Sequence, residues 1–386
     1  MYGPYIAEKN RQIRYVGNKI FKPIEDMRKF KIKKYDLENR VEQFIKNKHI
    51  WRALQNINHT IYISTVKFFD RLGAKFVLLP LTTRMISSPG AVYGKHKLDY
   101  TTDTTPIKLK WFNLKREIFL SESSQIYLEL ALLQEDINHV FCIYNSFRKE
   151  KADITHLSEF HHIEYEGKIS QTENEKICEK LTKFLIKNLL DKNEKDLKIF
   201  LEADDISNLE FFSRKRFKKI TLKEALDILY SETSNKIYKK FSCQHFGAWE
   251  EIFITNYYDN FVVIKEYPML EVPFYHAPIY DKKVIDESTG KEIMVVDNAD
   301  FIFPGYREYI GSGHRVRNIK ELKWKAKLFN LPKEDYIPYL NSRKSKYYKE
   351  TSGFGLGWER FLQGILKMPS IIDVSHFPRV HFTIIP

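Results

Sequence analysis

GFGLGWERF, residues 353–361, reads as a glycine-rich strand running into a helix from Trp358, with Arg360 at the helix start. Glycines in a strand mark a place where another backbone or a ligand comes close. The spacing is neither a Rossmann nor a Walker fingerprint, since no GK[ST] follows and no βαβ unit surrounds it. Upstream, helices are expected near 317–329 and 334–341, after a mostly extended region at 261–315 that includes NFVVIKEYP, EVPFYHAPIY, KEIMVVDNADFIF and EYIGSG. Farther back, VFCIYNSF (140–147) and HLSEFHHIEYE (156–166) read as paired antiparallel strands around the polar turn FRKEKADIT. Apolar spacing predicts helices over 36–70, 125–133, 172–191 and 222–232, with KFVLLP (75–80) a buried strand ending at Pro80. Many non-local strands with helices around them imply an α+β fold, an antiparallel sheet flanked by helices. The regular alternation of a doubly wound parallel fold is absent.

Composition agrees with one large core. The 386 residues are 43% hydrophobic and 29% charged, a folded and not a disordered profile. No apolar run approaches the ~18 residues of a membrane span. The start, MYGPYIAEKNRQIRY, lacks the apolar core of a signal peptide. Cys142, Cys178 and Cys243 are too scattered for a disulfide framework or a metal knuckle, which points to a reducing cytoplasm. The net charge is +13, and residues 1–53 hold fourteen basic against six acidic side chains. Such an arm can track phosphates; the favoured reading is a solvated lysine-rich face, since no aromatic–Arg stacking platform accompanies the run.

Three clusters carry chemistry. Arg148, Glu150, His156, Glu159 and Phe160 lie on two strands and their loop. A planar guanidinium can clamp a phosphate or carboxylate, Glu150 can accept from an amino group, and Phe160 offers a face for a base. Asp300, Glu308, Ser312 and Arg315 form the second cluster, whose two carboxylates on adjoining strands could hold Mg²⁺ against a polyphosphate. Arg360 behind its glycines is the third. Each alone also describes an ordinary charged hairpin or a packed strand.

Together, their order and spacing resemble the three signature motifs of class II aminoacyl-tRNA synthetases, in the aspartyl/asparaginyl branch. The helix and strand ending at Pro80 resemble the first motif, FRKEKADITHLSEFHHIEYE (147–166) the second, and GFGLGWERFLQGILKMPSIIDVSHFPR (353–379) the third. SSQIYLE (123–129) and GYREYIGSGHR (305–315) match the branch's substrate-binding segments. The resemblance implies a catalytic domain over 51–386 behind a basic extension at 1–50, and a homodimer built on the first motif. It also implies ATP-dependent formation of an aminoacyl-adenylate. Arg148 would bind the α-phosphate; Glu150 and Phe160 would hold adenine, with His156 in the same ATP-binding set. Arg360 would hold the γ-phosphate, and Asp300 and Glu308 would coordinate Mg²⁺. Gln125, Ser312 and Arg315 would bind the amino acid, Arg315 at its side-chain end.

The chain also departs from the branch. Some fifty residues precede the first-motif region, too few for the anticodon-binding OB-fold. The loop EKADITHL is one residue short and lacks an Arg before its His. SSPGA (87–91) has Pro89 where an acidic contact for the substrate ammonium is usual, and ETSGFG lacks a His before the glycines. Leu128 replaces the Lys that pairs with an aspartate side chain, which suits an amide. Two functions compete. The expected one is an amide ligase similar to archaeal asparagine synthetases, passing an aspartyl-like acyl group to ammonia or another small amine. The alternative is an asparaginyl-tRNA synthetase charging tRNA without an OB-fold.

Overall fold

The computed structural model describes residues 2–18, 20, 27, 31–89 and 105–384. Eight strands form its main sheet: β1 (Lys75–Phe76), β2 (His139–Phe147), β3 (Glu159–Gly167), β4 (Lys218–Thr221), β5 (Val262–Lys265), β6 (Asn298–Ile302), β7 (Glu308–His314) and β8 (Ser352–Gly357). Across the sheet they lie in the order β1-β2-β3-β8-β7-β6-β5-β4. Pairing is antiparallel through the middle and parallel at the two edges, β1 with β2 and β5 with β4. The α+β reading holds, with those parallel edges added.

Side-chain alternation assigns the two faces. On one face Tyr165 of β3 and Phe354 of β8 meet at 5.3 Å between ring centroids. Phe69 stacks on Tyr165 at 5.5 Å. Phe69 belongs to helix α1 (Lys48–Arg71), which packs against α3 (Gln171–Lys192) beneath β7 and β8; α2 (Gln125–Ala131) lies against β3. A capping box from Ser170 and Glu173 starts α3. The opposite face carries Glu164 and Glu166 on β3 and bare glycines on β8. A Cβ on Gly353 would lie 1.8 Å from Glu166 Oε2, and one on Gly355 would lie 3.5 Å from Glu164 Oε1. The alternation in SGFGLG therefore sends Phe354 and Leu356 into the core and clears a floor on the other side. Helices α4 (Ala248–Tyr258) and α5 (Trp358–Ile365) flank that floor.

Four expectations change. The helix over 36–70 is three helices, 34–38, 40–46 and 48–71, broken at Asn39 and Asn47, whose backbones leave the helical region. KFVLLP is not a buried strand: pairing stops at Phe76, and Leu78 is 82% exposed. EVPFYHAPIY becomes extended only from Pro278, because Pro268 and Pro273 cannot donate to a ladder and residues 269–271 coil into a 3₁₀ turn. The basic first fifty residues are not a free arm where described: Tyr2, Tyr5 and Ile13 are buried in the main core, around a hairpin pairing 5–7 with 13–15. Helices at 194–200, 203–214 and 248–258 and strand β4 went unread in the sequence. Of SSPGA, Gly90 and Ala91 lie outside the described residues.

Candidate active site

A cavity of about 300 Å³ opens on the glycine face, lined among others by Gln125, Arg148, Glu150, His156, Phe160, Asp300, Glu308, Ser312, Arg315 and Arg360. Of the residues in the three clusters and Gln125, all but Glu159 reach one wall or another; Glu159 lies off the cavity and accepts from Asn145 Nδ2 at 2.6 Å. Their side chains do different things.

At one end, β6 and β7 pair so that Asp300 faces Gly311 and Ile302 faces Glu308. A Cβ on Gly311 would lie 2.9 Å from Glu308 Oε1 and 3.8 Å from Asp300 Oδ1, so the glycine leaves room for both carboxylates. Burial, and then repulsion from Glu308, pushes the Asp300 carboxyl well above the usual range. Burial likewise raises Glu308, against the pull of Arg360 and Arg148. Two oxygen donors that repel each other suit a hard divalent cation, which would relieve the repulsion. Among the described residues, no group of three or more His, Cys, Asp or Glu side chains could enclose a metal. Two carboxylates completed by phosphate oxygens and water are what Mg²⁺ accepts.

Helix α4 supports this end. Glu251 accepts from Arg307 Nε and, at 3.1 Å, from the Glu308 backbone N–H. Arg360 spans the gap between the second-motif loop and β7, donating to the Thr155 carbonyl at 3.2 Å and the Glu308 carbonyl at 3.0 Å.

The middle holds Arg148, whose guanidinium carbon lies 5.2 Å from the centre of the Phe160 ring. Arg148 Nη1 is 3.9 Å from Glu150 Oε1. Beside Phe160, His162 receives or gives a 2.8 Å bond with Ser146 Oγ, and burial next to Arg148 and Arg360 holds its pKa well below the ordinary value. His156 is tied to Asp153 at 2.9 Å, and burial lowers its pKa too.

The other end is a buried charge network. Arg315 Nη2 reaches Glu166 Oε2 at 2.8 Å and also donates to Gln125 Oε1. Gln125 Nε2 in turn donates to the Phe354 carbonyl at 2.8 Å, so Gln125 fixes Arg315 to β8. Glu129, one turn on from Gln125 in α2, bonds Arg343 at 2.7 Å and lies 4.0 Å from Arg315. Glu164 sits between this network and the Arg148 end, accepting from the Ser124 backbone N–H at 2.7 Å, and burial raises its pKa. Nearby, Glu122 accepts from the Ser88 N–H at 2.8 Å, and burial pushes its pKa up to about 7. Ser312 is placed differently from expectation: its hydroxyl donates to the Ala299 carbonyl at 2.7 Å and accepts from Gln171 of α3, holding helix to sheet.

Glu122, Glu129, Glu164, Glu166, Glu251, Arg307 and Arg343 were missed in the sequence. Two of them had a signal. In HHIEYE the charged residues alternate with Ile163 and Tyr165, which places Glu164 and Glu166 on one strand face.

Comparison with known proteins gives the family and the fold. The family model for tRNA synthetases class II (D, K and N) matches residues 33–381. An asparagine--tRNA ligase from Desulforamulus reducens is 29% identical over 358 residues, covering 90% of this chain and 75% of the relative. The structure of asparaginyl-tRNA synthetase from Pyrococcus horikoshii complexed with asparaginyl-adenylate superposes with a TM-score of 0.78 at 26% identity, over 95% of this chain and 78% of that one. The Entamoeba histolytica asparaginyl-tRNA synthetase shares the fold, with a TM-score of 0.74 at 20% identity over 95% and 76% of the two chains. The chain belongs to the class II tRNA synthetases of the D, K and N group, ATP-dependent ligases that form an aminoacyl-adenylate.

Proposed function

We propose that the chain activates asparagine with ATP and passes it to tRNA. This is the alternative raised by the sequence, and it is favoured over the small-amine acceptor expected first because the relatives named above are tRNA ligases.

The observation that carries asparagine is charge. Arg315 and Arg343 supply two positive charges, and Glu129 and Glu166 supply two negative ones, all with side chains at most 2% exposed. A neutral carboxamide leaves that balance intact. An aspartate carboxylate would bring a buried charge without a partner, which costs several kcal/mol. Leu128, fully buried, offers no cation to offset it.

Glu164 takes the substrate ammonium, whose charge draws the carboxyl back to its ionised form. Arg148 holds the substrate carboxylate and the α-phosphate in line and stabilises charge as it develops. The carboxylate oxygen bonds to the α-phosphorus while the bond to the bridging oxygen breaks, and pyrophosphate leaves with that electron pair. Arg360 binds the outer phosphates; Phe160 and Glu150 hold adenine, beside His156. Asp300 and Glu308 would hold Mg²⁺, which neutralises phosphate charge when bound. A ribose hydroxyl of tRNA then attacks the acyl carbon and AMP departs.

Asparagine-dependent exchange of pyrophosphate into ATP tests the roles. Arg148→Ala and Arg360→Ala should each lower the rate by about 10²–10³. Normal exchange by both variants would remove the assignment.

A further inference from the structure

The family match begins at residue 33, so the segment 2–18 lies outside it. That segment runs against three supports of the Asp300–Glu308 end. The first is the turn between β6 and β7. The Tyr5 N–H donates to the Gly305 carbonyl at 3.0 Å. Gly3 lies so close to Gly305 that a Cβ on Gly3 would fall 2.2 Å from the Gly305 Cα. Gly305 itself has φ +60°, a conformation that suits glycine. The second is α4, which bears Glu251. The Ala7 N–H donates to Asn256 Oδ1 at 2.9 Å, Trp249 Nε1 donates to the Glu8 carbonyl at 3.0 Å, and Arg11 bonds Glu250 at 2.7 Å. The third is the turn leaving α5, which bears Arg360. Tyr2 and Tyr5 donate their hydroxyls to the Ile365 and Pro369 carbonyls, Tyr15 donates to Lys367 at 2.7 Å and Asn18 to Leu366 at 2.8 Å.

None of these residues lines the cavity around Arg148, Glu308 and Arg315. Each of these contacts ends on an element that carries or supports a group of the phosphate end; the segment also touches Phe212, Glu232 and Tyr238 outside that end, and among the described residues none of its hydrogen bonds or ring contacts ends on α2 or β3 at the amino-acid end. The two carboxylates repel each other, so their spacing has to be imposed from outside. Displacement of such a pair by about 1 Å costs on the order of 10² in the step it serves.

We propose that residues 2–18 are a strap in cis that positions Asp300, Glu308 and Arg360, and so sets affinity for Mg·ATP while leaving the amino-acid end untouched. Tyr2, Tyr5 and Gly3 are positioning residues, not catalytic ones. The inference deepens the proposed function and rests on it for the identity of the ligand.

The test uses the full chain and two conservative variants. Gly3→Ala forces the strap off Gly305, and Tyr5→Phe removes only one hydroxyl bond. Arg14→Ala is the control, because Arg14 pairs with Glu8 at the surface. Titration of Mg·ATP by calorimetry should show affinity at least about five-fold weaker in Gly3→Ala and a smaller loss in Tyr5→Phe, with asparagine affinity within about two-fold of the parent chain. Hydrogen exchange without ligand should be faster over residues 300–308 in both variants. Equal weakening for both ligands would overturn the strap, leaving it a general brace. Unchanged Mg·ATP affinity would also overturn it. Should the parent chain bind no Mg·ATP, the proposed function fails instead, and unchanged exchange over 300–308 would still sink the strap by itself.

Discussion

Glu166 and Arg315 meet at 2.8 Å against Gly353, with side chains 0% and 2% exposed. The pair lies in the floor of the amino-acid end, and with Glu129 and Arg343 it makes that floor electrically neutral. Glu166→Gln keeps the shape and removes one negative charge. The variant should lose about 3 kcal/mol of stability, as expected for a broken buried pair. The surplus positive charge should favour an acidic substrate, raising the ratio of aspartate to asparagine exchange about ten-fold or more. Exchange kinetics with both amino acids check this. An unchanged ratio would show that charge balance is not what selects the substrate.

The glycines of β8 make separable predictions. Gly355→Ala has room, with its Cβ 3.5 Å from Glu164, so melting should change little while substrate KM rises. Gly353→Ala has none, with Glu166 Oε2 at 1.8 Å and the Tyr165 carbonyl at 2.4 Å. It should destabilise by about 1–3 kcal/mol, the range for overpacking a filled site. Thermal melts and exchange kinetics on the two variants distinguish the effects.

The sequence disclosed the floor more readily than the walls. SGFGLG and EYIGSG are extended and glycine-rich over short windows, so β7 and β8 could be placed from local pattern. Arg148, Glu150, Phe160 and Arg360 followed from motif order. Glu129 and Arg343 did not, because they meet from segments 214 residues apart, and no local spacing links them. The breaks at Asn39 and Asn47 were hidden because apolar residues keep helical spacing across both. The burial of Tyr2 and Tyr5 was hidden because a lysine-rich surrounding reads as surface until the partners at 305 and 365–369 are known.

The raised carboxyls predict an unusual pH response. Asp300 and Glu308 have folded pKa values above their unfolded ones. The folded state therefore holds more protons between the two values, and stability falls as pH rises from the unfolded carboxylate range, near 4, through the folded values. Mg²⁺ should restore stability, and more so at higher pH. Glu308→Gln should raise the melting temperature of the ligand-free chain by a few degrees near neutral pH and shrink the Mg²⁺ effect. Melts across pH with and without Mg²⁺ check this; a Glu308→Gln chain that melts lower at neutral pH would contradict it.

Phe76, Leu78 and Leu81 are exposed along the segment that leaves edge strand β1. An apolar edge of this kind invites pairing, and we propose that a second copy of the chain covers it. Leu78→Asp should shift light scattering from a dimer to a 46.1 kDa monomer while leaving monomer secondary structure intact by circular dichroism. A parent chain that is monomeric at micromolar concentration would contradict the proposal.

Charging of tRNA is the decisive measurement of the proposed function. The chain is incubated with ATP, Mg²⁺, total tRNA and each of labelled asparagine and labelled aspartate, and acid-precipitable label is counted. Asparagine should appear on tRNA, with aspartate at least about ten-fold lower, and the asparagine signal should be lost in Arg148→Ala. Asparaginyl-adenylate formed without any charged tRNA, or preferential charging with aspartate, would contradict that function.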